Sequence, residues 1–265
     1  MSEPVLYEQQ GRVAIITLNQ PESRNALSDE LVPSLVEKLH RANDDVGVSC
    51  VIITGAGSSF SSGGHLGEIR AMTQEKKLSA QELRNWYLDM IQQIPRTMQQ
   101  ISVPCIAAVN GYAIGAGCDL TMMCDMRIAS EKAVFAESFM RVGLIPGDGG
   151  AWFLPRVIGL SRASEMSYTC DFIDASKAEK WGMVSEVVAP DKLLDAALAM
   201  AKRIAAHPPI GVRMAKKLLR DSQDMPLGAA LEMAAGMQAM LQLTEDHIEA
   251  IDATLEKRDP VFKGR

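Results

Sequence analysis

The sequence predicts an α/β domain that carries a helical C-terminal part. Strand-like and helix-like segments alternate before Ser161, whereas the chain from Ser161 onward is mostly helical in pattern. The chain has 265 residues, 47% of them hydrophobic and 23% charged, which is enough apolar material for one large core. No linker rich in Pro, Ser or Gly separates the two parts, so we predict a single structural unit.

The elements follow from local patterns, taken in order. Ser28 is a predicted helix N-cap, with Asp29 and Glu30 in the first turn of a helix that runs to about Ala42. Residues 78–100 form a helical pattern that Pro95 should kink or break. Short β-branched runs bounded by turn residues predict strands at 13–18, 50–54, 105–109, 127–129, 133–136 and 184–188.

Composition excludes several classes of function. A net charge of −6 without a broad basic field argues against a nucleic-acid binder, although a few local cations could still hold a small anion. No apolar run could span a bilayer, and no secretory signal pattern is visible. The five cysteines lie in apolar segments without a CxxC pair, which indicates reduced thiols in a cytoplasmic protein. The four histidines show no metal-ligand spacing, so we expect no metal site.

Two glycine-rich turns each follow a predicted strand. SSGGHL comes after the strand at 50–54, and GYAIGAGCDL comes after the strand at 105–109. Such turns can aim backbone N–H groups at one point and form an oxyanion hole, although most glycine turns are only turns. Asp119 follows the second turn, where it fits either an acid favoured by the helix dipole or a carboxyl group for proton transfer.

An ordered set of motifs resembles the crotonase superfamily, also called the enoyl-CoA hydratase/isomerase family. The motifs are PESRNALS, FSSGGHLGEI, VPCIAAVNGYAIGAGCDLTMMCDMRIAS, VGLIPGDGGAWFLPRVIG, ASKAEKWGMVSEVV and LEKRDPVFKGR, and they cover nearly the whole chain. The resemblance implies a spiral of ββα turns over 1–195 and a helical trimerisation region over 196–265 in the same structural unit. It also implies an acyl-CoA substrate, no cofactor beyond that coenzyme A, and a homotrimer or a hexamer made of two trimers.

The resemblance also assigns site residues. The oxyanion hole would consist of the N–H groups of Gly64 and Ala116. Arg24 would place a cation near the nucleotide phosphates, and Lys263 would reach a nucleotide in a neighbouring subunit, although both residues also fit ordinary solvated charges. The residues expected to contact the substrate, these cations included, are Arg24, Ser62, His65, Leu66, Phe139 and Lys263.

The acids depart from the family pattern. Hydratases of this family use two glutamates, whose positions are Asp119 and Phe139 here. Glu137 lies two residues before Phe139, and it shares a face with Phe139 only if the backbone is extended there. Asp148 lies in a turn where several relatives use an aspartate one position earlier, at Gly147. Asp119, Asp148 and Glu137 are therefore the candidate catalytic acids.

The expected activity is hydration of an α,β-unsaturated acyl-CoA through a thioester enolate. The missing second glutamate leaves a double-bond isomerase as an alternative, because isomerisation needs only proton transfer across one face. A member that binds acyl-CoA without turnover is the other alternative, and the carboxylates at Asp119 and Asp148 argue against it.

Overall fold

The computed structural model describes residues 3–265, within which the strands form two sheets. The strands are β1 (Val5–Gln10), β2 (Val13–Leu18), β3 (Cys50–Gly55), β4 (Ser59–Ser61), β5 (Cys105–Val109), β6 (Tyr112–Ile114), β7 (Met126–Ser130), β8 (Val134–Ala136), β9 (Ile173–Asp174) and β10 (Glu186–Val188). The larger sheet has six strands in the order β1-β2-β3-β5-β7-β10, and the smaller has four in the order β4-β6-β8-β9.

Helices follow pairs of strands, so the chain advances as a spiral of ββα turns. Strand pairs β3–β4, β5–β6 and β7–β8 each place one strand in the larger sheet and one in the smaller, with parallel pairing between successive turns. The helices are α1 (Leu31–Asp44), α2 (Leu66–Arg70), α3 (Ala80–Asp89), α4 (Gln93–Gln100), α5 (Ala116–Met123), α6 (Gly150–Ile158), α7 (Leu160–Thr169), α8 (Ala175–Lys180), α9 (Leu193–Ala205), α10 (Pro209–Asp221), α11 (Leu227–Gln242) and α12 (Glu245–Glu256).

The core lies on both faces of the larger sheet. Because side chains alternate along a strand, Ile53 packs into the main core while its neighbour Ile52 faces the other side. There, Ala197 and Ala201 of α9 cover the sheet. The predicted boundary between residues 195 and 196 thus falls inside a helix that belongs to the core.

Buried charges hold α10 against this core. The ammonium group of Lys216 donates to the carbonyl oxygen of Val103 at 2.7 Å and lies 3.0 Å from the carboxylate of Asp125. Arg220 contacts the same carboxylate at 2.8 Å. Further along, α11 and α12 leave large apolar side chains exposed, among them Leu227, Leu231, Met240, Ile248 and Leu255.

The α/β class, the spiral and the helical C-terminal part are confirmed. The six predicted strands all form, two of them with the predicted bounds. The helix predicted to start after Ser28 begins later, at Leu31, so Asp29 and Glu30 precede its first turn; the Ser28 hydroxyl still accepts a hydrogen bond from the Leu31 N–H at 3.2 Å. The helix predicted over 78–100 is instead two helices. The break between them falls at residues 90–92, before Pro95 and not at it. Pro95 then lies in the first turn of α4, where a missing N–H costs nothing.

Candidate active site

A cavity of about 710 Å³ opens between the smaller sheet and the helices α2 and α3. Much of its wall is apolar or aromatic, and the wall also carries the charged side chains of Arg24, Glu68, Arg141 and Asp148. The apolar and aromatic wall residues include Leu66, Ile69, Trp86, Tyr87, Ile91 and Phe139. A largely apolar cavity with a few polar groups is the usual form of a small-molecule site.

Two glycine turns meet at the wall of this cavity. Gly63 has φ +86° and Gly115 has φ +53°, which are backbone conformations that favour glycine. A Cβ atom on Gly63 would lie 2.4 Å from the carbonyl oxygen of Ile114 and 3.3 Å from the amide nitrogen of Ala116. The turns therefore pack backbone against backbone, which only glycine allows at Gly63.

The predicted oxyanion N–H groups lie together at this contact. Gly64 and Ala116 both line the cavity. Within residues 3–265, neither N–H group donates a hydrogen bond to another residue. Ala116 is also the first residue of α5, where the helix dipole places partial positive charge. Two such donors can stabilise a negatively charged oxygen in the cavity.

Asn25 holds the first glycine turn in place, and the sequence reasoning missed it. Its side chain is fully buried, and its amide donates to the carbonyl oxygens of Ser59 at 2.9 Å and Phe60 at 3.2 Å. The hydroxyl of Ser61 donates to the Asn25 carbonyl oxygen at 2.8 Å and accepts from the Gly63 N–H at 3.2 Å. A polar Asn inside the motif PESRNALS was the available signal, but its partners lie more than thirty residues away.

The three candidate acids divide into two groups. Asp119 is completely buried and Glu137 is 1% exposed, and neither lines the cavity. No N–H or hydroxyl group within the described residues donates to their four carboxyl oxygens. Asp148 is 7% exposed and does line the cavity. Of the three acids, Asp148 is the one with direct access to a bound molecule.

Burial raises the pKa of each acid. The pKa of Asp119 is raised well above its ordinary value by burial first and by the charge of Glu137 second. Burial also raises the pKa of Glu137, and the neighbouring side chains of Asp119 and Cys118 lower it in part. The pKa of Asp148 rises to about 7, through burial and then the charge of Glu137. A carboxyl group with a pKa near neutral can both give and take a proton.

The backbone after β8 decides which side chain reaches the cavity. The strand ends at Ala136, and a 3₁₀ turn begins at Ser138. Glu137 and Phe139 therefore diverge: Glu137 faces inward to Asp119, while the Phe139 ring lines the cavity beside Gly115. The two residues would share a face only in an extended segment, and this segment is not extended.

Asp148 is positioned by the turn before α6. The carbonyl oxygen of Gly147 accepts a hydrogen bond from the Gln92 amide at 3.0 Å, and Gly149 has φ +111°. This turn aims the Asp148 side chain at the cavity wall beside Tyr87, whose pKa is raised by burial and by the charge of Asp148. Asp148 lies one position after Gly147, where several relatives carry an aspartate, and its carboxyl group still reaches the cavity wall.

The remaining predicted residues lie at the cavity or far from it. Arg24, Ser62, His65 and Leu66 line it. The His65 ring nitrogen Nδ1 also accepts from the Glu68 N–H at 3.2 Å, so His65 caps α2. Lys263 does not line this cavity; its N–H donates to Asp246 at 2.6 Å, near the C-terminal end of the chain.

Within 3–265, no group of three or more His, Cys, Asp or Glu side chains is arranged to hold a metal ion. Among the helices of the same residues, none is long and apolar enough to cross a membrane.

The chain matches known proteins along its whole length. The family model described as Enoyl-CoA hydratase/isomerase matches residues 8–265. A 2,3-dehydroadipyl-CoA hydratase of Escherichia coli is 40% identical over 265 residues, which covers 100% of both chains. A crotonyl-CoA hydratase of Syntrophomonas wolfei is 33% identical over 261 residues, or 98% of each chain.

Solved structures agree with these relatives. An enoyl-CoA hydratase of Bacillus anthracis superposes with a TM-score of 0.90 at 34% identity, covering 99% of this chain and 100% of that one. A putative enoyl-CoA hydratase of Streptomyces coelicolor A3(2) superposes with a TM-score of 0.92 at 35% identity, covering 99% of this chain and 94% of that one. The chain therefore belongs to the enoyl-CoA hydratase/isomerase family and is an enzyme with the crotonase fold.

Proposed function

We propose that the protein is an acyl-CoA lyase of the enoyl-CoA hydratase type, which adds water to an α,β-unsaturated acyl-CoA. The observation that carries the proposal is the pair of N–H groups of Gly64 and Ala116, which share one cavity wall and have no acceptor within residues 3–265. Hydratases among the relatives, at 33% to 40% identity over the full chain, support the same reaction.

The N–H pair would bind the thioester carbonyl oxygen. Polarisation of this carbonyl group makes the β-carbon electrophilic. The same two N–H groups stabilise the enolate oxygen that forms when water attacks. In hydration, the water oxygen bonds to the β-carbon, one water proton passes to a base, and a proton is delivered to the α-carbon. The product is a 3-hydroxyacyl-CoA, with no net change in the acids.

The proton-transfer groups come from the three acids. Asp119 follows the second glycine turn in α5, and Asp148 lines the cavity with its pKa raised to about 7. Glu137 is buried beside Asp119. We assign the handling of water and protons to Asp119 together with Asp148 or Glu137.

The rest of the cavity suits an acyl-CoA. Ser62, His65 and Leu66 line it beside Gly64, and Arg24 supplies a cation there. Lys263 would reach a nucleotide in a neighbouring subunit of a trimer or hexamer. The acyl group would meet the Phe139 ring, and the reaction would need no cofactor beyond the coenzyme A that is part of the substrate.

A second candidate is double-bond isomerisation of an enoyl-CoA. It is favoured by one observation: an aromatic ring, Phe139, occupies the cavity wall where the second acid of a hydratase is expected. One carboxyl group at the cavity is sufficient to move a proton from the γ-carbon to the α-carbon, or back.

The test is turnover of crotonyl-CoA by the purified protein, followed by loss of the conjugated enoyl-thioester absorbance. A 3-enoyl-CoA is assayed in parallel for gain of that absorbance. Loss with crotonyl-CoA that disappears in Asp119→Asn supports hydration. Gain with the 3-enoyl-CoA and no loss with crotonyl-CoA replaces hydration by isomerisation. Binding of acyl-CoA in calorimetry without either reaction rejects both activities.

A further inference from the structure

The active-site cavity carries a second arginine besides Arg24. Arg141, in the 3₁₀ turn Ser138–Val142, lines the cavity and is exposed to solvent. Its Nη2 atom donates to the carbonyl oxygen of Cys170 at 2.9 Å, and its guanidinium group lies 4.8 Å from the centre of the Phe172 ring. Among residues 3–265, no carboxylate forms an ion pair with Arg141, and its Nε and Nη1 atoms have no hydrogen-bond acceptor. The guanidinium group is thus held in place while it keeps donors for an anion.

The order of the strands places this guanidinium group at one edge of the smaller sheet. The sheet runs β4-β6-β8-β9, with Gly64 following β4 and Ala116 following β6. Phe135 of β8 pairs with Ile173 of β9 in the antiparallel direction, so Phe172 comes at the level of the end of β8. Because neighbouring strands are about 4.8 Å apart, the β9 edge lies about 10 Å from the end of β6.

The two arginines lie on opposite sides of the predicted oxyanion hole. The Arg24 carbonyl oxygen accepts from the Ser62 N–H at 2.9 Å, and Leu27 forms a parallel bridge with Gly64, so this segment lies at the β4 edge of the sheet. The two N–H groups of the hole follow β4 and β6, and Arg141 lies beyond them at the β9 edge. A thioester carbonyl group bound in the hole has one arm towards each arginine. With coenzyme A on the Arg24 side, the acyl chain runs towards Arg141.

We propose that Arg141 is a specificity residue that binds a carboxylate at the far end of the acyl chain, and that the preferred substrate is the coenzyme A thioester of an unsaturated dicarboxylic acid. This proposal rests on the proposed function and names the substrate class of the same site. The hydration step is unchanged, because Arg141 would contact the distal carboxylate and none of the reacting atoms.

The surroundings of Arg141 suit a carboxylate at the end of an apolar chain. Phe139 and Val142 line the cavity on the way to Arg141 and give the chain an apolar path. An ionised carboxylate is costly to bury in such a cavity unless a cation pairs with it, and the remaining guanidinium N–H groups supply that pairing. Because Arg141 is exposed and the Phe172 ring is half-exposed, the carboxylate would also keep part of its hydration.

The experiment compares two enoyl-CoA substrates that differ only in the terminal group. 2,3-Dehydroadipyl-CoA ends in a carboxylate, and trans-2-hexenoyl-CoA ends in a methyl group on a chain with the same number of carbons. In the wild type, kcat/KM should favour the carboxylate-ended substrate. In Arg141→Met, which removes the charge and keeps an unbranched side chain, the ratio of the two kcat/KM values should fall about tenfold or more, because a charge-assisted hydrogen bond is lost.

Arg162 offers a matched control outside the cavity. Its Nη1 atom donates to the carbonyl oxygen of Trp181 at 2.8 Å, and its guanidinium group lies 5.6 Å from the centre of the Trp181 ring, so its contacts are of the same kind. Arg162→Met should leave the ratio at its wild-type value. A wild type that prefers the methyl-ended substrate overturns the proposal. An unchanged ratio in Arg141→Met also overturns it, and a common fall of both rates would assign this cation to the phosphates of coenzyme A.

Binding separates this proposal from the proposed function. Adipyl-CoA and hexanoyl-CoA are saturated and cannot be hydrated, so calorimetry measures their affinities without turnover. The wild type should bind adipyl-CoA more tightly, and Arg141→Met should lose that preference. The preference without turnover of either enoyl-CoA would reject the proposed function and leave the carboxylate site. Turnover of both enoyl-CoA substrates without the preference would reject the carboxylate site and leave the function.

Discussion

Replacement of Asp148 by Asn should stabilise the fold at alkaline pH while it removes activity. The Asp148 side chain is buried, and burial and the charge of Glu137 raise its pKa from 3.8 to about 7. Between about pH 4 and pH 7, the native state therefore keeps a proton on Asp148 that the unfolded chain has already released. Stability is lost as the pH rises through this window, and the full cost is present above it.

The size of this cost follows from the same pKa values. At about 1.4 kcal/mol for each pKa unit, a rise from 3.8 to about 7 corresponds to about 4 kcal/mol of unfolding free energy. Asparagine has nearly the shape of the protonated acid and no charge to lose. The variant should therefore match the wild type near pH 4 and exceed it by up to about 4 kcal/mol at pH 8.

Urea unfolding, followed by tryptophan fluorescence at fixed chain concentration, measures this difference from pH 4.5 to pH 8.5. The exposed Asp171 offers a control, because Asp171→Asn changes the same chemical group at the surface. Stability curves for wild type and Asp148→Asn that stay parallel over the whole range would refute the reasoning.

Three further variants test separate parts of the structure. Gly150→Ala should lower the melting temperature by an amount equivalent to about 2 kcal/mol or more, since its Cβ would lie 2.0 Å from an oxygen of Asp119; an unchanged melting temperature would contradict the packing. Ala116→Pro should lower kcat about 10²-fold to 10³-fold, because proline at this first helical position removes the N–H and places a ring carbon where the N–H points. Retention of the full rate would exclude this N–H from the oxyanion hole. Lys216→Met should cost about 3 kcal/mol in urea unfolding because Asp125 loses its buried partner, and a cost near zero would show that Arg220 alone satisfies the carboxylate.

The sequence predicted the parts of the fold that depend on local pattern. The strands β2 and β5 have the predicted bounds because each is a short apolar run between turn residues. The strands β4, β6 and β9 have two or three residues each, and they exist because distant segments pair with them. A window of the sequence holds no signal for such pairing.

The same distinction holds at the site. The glycine turns were visible in the sequence, since their residue types restrict the backbone. Which acid reaches the cavity was not visible, because it depends on the extended backbone ending at Ala136 and on the turn before Gly150. The role of Asn25 depends on contacts with Ser59 and Phe60, which only the fold brings near.

The most direct test of the proposed chemistry is the rate of crotonyl-CoA hydration by Asp148→Asn beside the wild type at pH 7. We expect the wild type to hydrate the substrate and the variant to lose about 10²-fold or more in kcat while acyl-CoA binding persists, since proton transfer by one positioned acid contributes about that much. An unchanged kcat in Asp148→Asn would contradict the assignment of Asp148 as the acid at the cavity.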